Sequence, residues 1–422
     1  MSRSLGEWLA HAGRLHPRAI DLGLDRVAQV ARLLGMRAAA PVITVGGTNG
    51  KGSTCAMLER VLRCAGYRTG LYTSPHLLAY NERVRICGEP AADAVLCSAF
   101  EVVEAARGEV PLTYFEFGTL VAMQAFAAAS PEVLILEVGL GGRLDAVNLF
   151  DPDCAVLAAI DLDHAEYLGA TRDAVGREKA GILRAGRPAI LGDPDPPASL
   201  IAHGEAIGAG MLRLGVDFGY LADRGQWQYW SRRDGGIRRR SGLAHPALRG
   251  RHQLANAATA IAALEAVELR LPVAMQDIRR GLAEVEWPGR FQVVPGRPLL
   301  VLDVAHNPQA AAALAESLGE MGFHPQTWAV FGMMKDKDVR GVVERMKARV
   351  DCWLAATLPP PRGARAEELE AVLTRFGVGD VKRFASPALA LAHARGQAGR
   401  NDRIVAFGSF VTVADVMRAA GA

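Results

Sequence analysis

Residues 45–54 read VGGTNGKGST, and the apolar run PVITVGG that leads into them gives way to a helical pattern at Lys51. A strand that turns into a helix through glycines is the setting a phosphate-cradling loop needs. Glycines let backbone N–H groups turn inward, the helix N-terminus adds partial positive charge, and a lysine reaches the outer phosphates. The stretch departs from the common pattern G-x-x-x-x-G-K-[ST] twice, with Val45 in place of the first glycine and Gly52 between Lys51 and Ser53. A plain strand-to-helix turn would also use the glycines, but not the lysine or the two hydroxyls, Ser53 and Thr54. Lysine is scarce here: the chain has six lysines and 42 arginines. Lys51, Lys179 and the pair Lys335 and Lys337 therefore stand out, because lysine is a compact charge whose pKa can be tuned and arginine's cannot.

Outward from this loop, short apolar runs alternate with helical patterns over residues 40–290 (RTGLYTS, EVLILEVG and CAVLAAID among the runs), which predicts an α/β fold with a mainly parallel sheet. Residues 211–240 read instead as short antiparallel strands, MLRLGVDF, WQYWS and GIRRR, forming an insertion or sheet edge. WPGRFQVVPGRP, at 287–298, shifts to Pro and Gly and marks the expected boundary. Beyond it LLVLDVA, TWAVFGM, CWLAATL and RIVAFGS alternate with helices in a smaller α/β unit. The predicted division is 1–287, a linker at 288–298, and 299–422.

Composition narrows the function classes. Half of the 422 residues are hydrophobic and 22% charged, as in a globular protein. The longest charge-free stretch, 117–131, falls short of the roughly 18 to 20 apolar residues of a membrane span. The first residues lack the pattern of an export signal, so a cytoplasmic protein is expected. Six cysteines without C-x-x-C spacing read as reduced thiols. A net charge of +3 implies no nucleic-acid partner, and the basic run 232–240 (RRDGGIRRR) reads as an exposed hairpin.

Three apolar strands end in acids: VLILE at Glu137, CAVLAAIDLDH at Asp161, Asp163 and His164, and LLVLD at Asp303. Ligands in open α/β sheets gather at the carboxyl ends of strands, so three such acids with a phosphate loop on one sheet point to a metal and nucleotide cleft. Glu137 stands where phosphate-loop enzymes hold Mg²⁺; a cap or a salt bridge is its other reading. By residue type alone His164 is as much a core or capping histidine as a ligand, Lys179 reads as half of a helical pair with Glu178, and Asn256 has no role legible in pattern.

Taken together the stretches resemble the folylpolyglutamate synthases, relatives of the Mur peptide ligases, and among them the bacterial bifunctional dihydrofolate synthase type. The motifs run in order from about residue 21 to the C-terminus: IDLGLDRV, GTNGKGST, SPHL with NERVRI, TYFEFGTL, EVGLGGRLDA, DHAEYLG, EKAGI, HQLANAATAIAAL, WPGRF, DVAHNP, DKD and GSFVTVADV. Phosphate loops of this lineage carry an extra glycine after the lysine, which accounts for Gly52. The resemblance implies a Mur-ligase-type P-loop domain followed by a Rossmann-like C-terminal domain. It implies an ATP-dependent ligase that adds L-glutamate to 7,8-dihydropteroate and to reduced folates through an acyl phosphate, and a monomer.

By motif, the resemblance places ATP against Asn49, Gly50, Lys51, Gly52, Ser53, Asn256, Arg290 and Asp303. It places one Mg²⁺ on Ser74 and Glu137 and a second on His164, beside Lys179 as a carbamylated lysine, an anionic oxygen donor that forms only from the neutral amine. Lys51, Lys179 and His164 become the catalytic set. The folate contacts become Ile20, Asp21, Leu22 and Gly23, then Thr113, Tyr114, Phe115 and Glu116, then Leu144, Asp145 and Ala146; His306 and Ser409 fall to glutamate. Closure about 287–298 would exclude water from the acyl phosphate. Gly46, Ala165 and Val147 depart from the family pattern, replacing an alanine and two threonines. A monofunctional folylpolyglutamate synthase, a Mur-type cell-wall ligase and a non-catalytic ATP-binding module are the competing readings.

Overall fold

The computed structural model describes residues 3–223, 225–233 and 235–422. Contacts group the chain into two units. The first comprises Met1–Asp161, Leu168–Ala247 and Leu254–Val285; the second comprises Leu162–Tyr167, Leu248–Gln253 and Glu286–Ala422. The second unit therefore includes two short segments from inside the stretch 1–287 that the sequence assigns to one domain. Local packing, not chain order, decides their membership.

In the first unit, β1 (Val42–Gly46), β2 (Thr69–Tyr72), β3 (Val84–Ile86), β4 (Glu89–Pro90), β5 (Val133–Glu137), β6 (Cys154–Leu157), β7 (Pro188–Leu191) and β8 (Gly210–Arg213) form one sheet. Their order is β4-β3-β2-β5-β1-β6-β7-β8. The run from β2 to β8 is parallel, and β3 and β4 add antiparallel at one edge. β1 and β5 are buried at every position, as expected of parallel strands covered on both faces. The chain passes from β5 on one side of β1 to β6 on the other, and such a reversal opens a crevice at the carboxyl end of β1.

Residues 211–217 do not form the antiparallel strand expected of them. Met211–Arg213 extends the main sheet as its parallel edge, and the chain then turns at Gly215, whose φ of 83° suits glycine. β9 (Phe218–Asp223), β10 (Gln226–Arg233) and β11 (Gly236–Ala244) make a separate antiparallel sheet. The basic run is thus the β10–β11 hairpin, with Asp234 outside the described residues.

The second unit holds β12 (Gln292–Val294), β13 (Leu299–Leu302), β14 (Thr327–Phe331), β15 (Cys352–Ala356), β16 (Val381–Phe384) and β17 (Arg403–Phe407) in the order β12-β13-β17-β14-β15-β16. All neighbours are parallel except β12 and β13. The Pro- and Gly-rich stretch is therefore not a bare linker, since it contributes an edge strand. Its core centres on Phe331, Trp353 and Phe407, whose ring centroids lie 5.1 to 6.0 Å apart. Asn307 and Ser386 cap helices that open on Pro308 and Pro387, where a missing N–H costs nothing. Among the described residues no helix is long and apolar enough to cross a membrane.

Candidate functional site

The loop after β1 takes the shape its glycines allow. Gly47 and Gly50 have φ of 137° and 86°, and Gly50 caps the helix Lys51–Cys64. A Cβ on Gly50 would come within 2.5 Å of Asn256 Oδ1, so Asn256 lies directly against the loop. Thr48 ties the loop to the end of β6, its hydroxyl donating to Asp161 O at 2.8 Å and accepting from Asp161 N at 3.0 Å. Two of the six lysines meet at one atom: Lys51 Nζ donates to Gly47 O at 3.0 Å and Lys179 Nζ donates to the same oxygen at 2.8 Å. Lys179 is buried, at 4% exposure, so its predicted role as a solvated partner of Glu178 does not hold; Glu178 pairs with Arg143 instead. Two ammonium groups on one neutral carbonyl make a concentrated positive spot suited to an anion.

Glu137 sits opposite Val45 in the register of β5 and β1, and Val138 N donates to Val45 O, which sets Glu137 beside the loop. Ser74 N donates to Glu137 Oε2 at 3.1 Å. The two residues are thus neighbours, and a serine hydroxyl and a carboxylate are hard oxygen donors of the kind that fits Mg²⁺, an ion that fills its remaining positions with water. Lys179 as a plain amine would not fit a cation; as a carbamate it would. Among the described residues no three His, Cys, Asp or Glu side chains converge on a common metal position.

The three segments that the resemblance assigns to folate all lie in the first unit. Glu116, buried at 4% exposure, closes a capping box with Thr113 at the start of the helix Tyr114–Ala129. Asp145 caps the short turn Ala146–Leu149 and accepts from Leu140 N and Val147 N. Burial raises its carboxyl to about 6, against the N–H groups of Leu140, Val147 and Gly139 and the charge of Lys51. Arg26, which the sequence did not single out, donates to Asp21 and to Glu116 together. Two departures from the family pattern make packing sense. A Cβ on Gly46 would lie 2.9 Å from Leu157 Cδ2, and Val147 is fully buried in the main apolar core.

Asp303 does not share the sheet of the phosphate loop, as the sequence reading supposed; it follows β13 in the second unit. Its carboxylate accepts from Phe291 N and Ala305 N, both at 2.8 Å, and burial raises it against these donors and the charge of Arg290. Arg290 lies over the Phe410 ring at 5.1 Å, and His306 flanks the same ring at 6.0 Å between centroids. Gly408 N donates to Ala305 O, bringing the His306 and Ser409 segments together. The Ser409 hydroxyl caps the helix Phe410–Ala420.

His164 belongs to the second unit. Its Nε2 lies 3.1 Å from Lys337 Nζ, and Lys337 also donates to Asp163 Oδ1 at 2.5 Å. Burial would raise Asp163, but the hydrogen bond from His306 and the charges of Lys337, His164 and His306 outweigh it and hold the carboxyl far below its usual range. Lysine scarcity had marked Lys337 without giving it a role.

Residues 45–264 match the family model of the Mur ligase middle domain, and residues 289–410 that of the Mur ligase glutamate ligase domain. The dihydrofolate synthase/folylpolyglutamate synthase of Escherichia coli K12 is 44% identical over 414 residues, covering 98% of this chain and 94% of that protein. Among solved structures, E. coli FolC in complex with DHPP and ADP superposes with a TM-score of 0.94 at 43% identity, covering 100% of this chain and 98% of that one. A bifunctional folylpolyglutamate synthase/dihydrofolate synthase with Mn, AMPPNP and L-glutamate bound gives a TM-score of 0.92 at 44% identity over 100% of this chain and 99% of that one. With the loop, its two lysines and the two α/β units already in place, these likenesses show that the chain belongs to the dihydrofolate synthase/folylpolyglutamate synthase family of Mur ligases.

Proposed function

We propose that this chain uses ATP to join L-glutamate to 7,8-dihydropteroate, making dihydrofolate, and to reduced folates, lengthening their glutamate tails. The observation that carries the reading is the meeting of Lys51 and Lys179 on Gly47 O in the phosphate loop. A carboxylate is a poor acyl donor. A carboxylate oxygen of the pterin substrate attacks the γ-phosphorus, the bond to ADP breaks, and an acyl phosphate results. The glutamate amine then attacks the acyl carbon, phosphate leaves with the bonding pair, and an amide remains.

The N–H groups of 49–52 and the Lys51 ammonium offset charge on the moving phosphoryl group. Ser74 and Glu137 would hold one Mg²⁺, and His164 and a carbamylated Lys179 are the proposed ligands for a second; such ions would supply positive charge to offset that of the phosphates. Carbamylation of Lys179 would also replace one of two crowded cations by an anion, which supports that state. Asn256, Arg290 and Asp303 serve ATP, and His306 and Ser409 serve glutamate. The six free thiols and the absence of a membrane-crossing helix among the described residues support a cytoplasmic location; the family supports a monomer.

The test is ADP release with Mg-ATP and L-glutamate, offering dihydropteroate or tetrahydrofolate. Turnover with both is expected. Turnover with tetrahydrofolate alone would leave a monofunctional enzyme, and turnover with neither would overturn the reading.

A further inference from the structure

We propose that Arg26 is a positioning residue of the folate pocket, joining two of its walls through one guanidinium and thereby setting affinity for the pterin substrate. The inference rests on the reading above that 20–23 and 113–116 line that pocket. Arg26 Nη1 donates to Asp21 Oδ2 at 2.6 Å and Nη2 to Asp21 O at 2.7 Å. The same side chain reaches Glu116, with Nη2 3.2 Å from Oε1 and Nε 3.4 Å from Oε2. Glu116 is already committed to the start of the next wall, since its Oε2 accepts Thr113 N at 2.7 Å. One planar fork therefore fixes a loop carbonyl, a loop carboxylate and a helix cap.

The base of this fork is rigid. Arg26 stands in the first turn of the helix Asp25–Leu33, whose Val27, Val30 and Ala31 are buried. That helix also packs on the turn Ala146–Leu149, which carries the third wall. All three walls thus take their positions from one short helix, and two of them through one side chain. Lysine would keep the charge beside buried Glu116 but, as a point donor, could not bond both acids in the same plane.

The experiment compares Arg26→Lys, Arg26→Ala and Phe115→Ala by steady-state kinetics with dihydropteroate and with ATP, alongside thermal melting. For Arg26→Lys the expected result is a KM for dihydropteroate raised about tenfold, with kcat and the KM for ATP within about twofold and Tm near wild type. Parallel loss of kcat, ATP affinity and Tm would reduce Arg26 to a structural part and overturn the proposal. If Phe115→Ala raises the dihydropteroate KM and Arg26→Lys does not, Arg26 positions nothing and the pocket assignment stands. If neither variant moves it, the pocket assignment falls too. Arg26→Ala leaves Glu116 buried without its cation; should it fail to fold, Arg26→Lys still decides.

Discussion

The phosphate loop follows β1 and Asp163 comes from the chain beyond β6, yet the two meet different electrostatic problems. At the loop, Lys51 and Lys179 both donate to one neutral carbonyl. At Asp163, one buried lysine and two histidines surround a carboxylate and satisfy it. In the first the lysines meet a dipole, and in the second a lysine meets a full negative charge. Two aspartates differ in their balance of burial against partners. Asp145, held by backbone N–H groups, is pushed up to about 6, whereas Asp163, ringed by cations, is held down. At Asp163 the surrounding charges outweigh desolvation; at Asp145 the backbone donors and the charge of Lys51 do not.

Mutations can break this contrast. The largest effect is expected for Lys51→Ala, a fall in kcat of about a thousandfold in folded protein; survival of more than a few per cent of activity would take Lys51 out of phosphoryl transfer. Lys179→Ala should be nearly as inactive but partly restored by added formate or acetate, and intact-mass spectra of the wild type in bicarbonate should show one added CO₂. Without rescue or adduct, the lysine acts as an amine.

In the second region Lys337→Met should cost about 3 kcal/mol of stability by stranding Asp163, with Asp163→Asn in the same chain recovering part. Chemical denaturation would reveal a smaller role if the single variant unfolded like wild type. Gly50→Ala forces a left-handed residue against Asn256 and should raise the KM for ATP about tenfold; an unchanged KM would separate Asn256 from the nucleotide.

The smallest effect is in pH. Asp145 titrates near 6 when folded and near 3.8 otherwise, so between these values the folded state holds the extra proton. Stability should fall as pH rises from about 4 to 6, by at most about 1.4 kcal/mol per unit, and then level off. Asp145→Asn should flatten that slope, and an identical slope would place the proton elsewhere.

What could be read from the chain alone was whatever lies in one stretch. Glycines, one lysine and two hydroxyls between a strand and a helix define the loop, and continuous apolar runs define buried parallel strands. Residues that act across distance left no such mark. Arg26 and Glu116 are 90 positions apart, and Lys337 is 174 from Asp163. Asp303 was assigned to the wrong sheet because a strand-end acid looks alike in either. The run 211–217 misled because an edge strand and a hairpin strand share the same alternation, and only the turn at Gly215 separates them.

The segments 162–167 and 248–253 give the second unit a composite ancestry within the chain. A contiguous cassette beginning at Glu286 would lack Asp163 and leave Lys337 without its acid. Recombination that exchanged only the C-terminal third between relatives would therefore pair a lysine from one parent with an aspartate from the other. These two positions should accordingly be inherited, and engineered, as one locus.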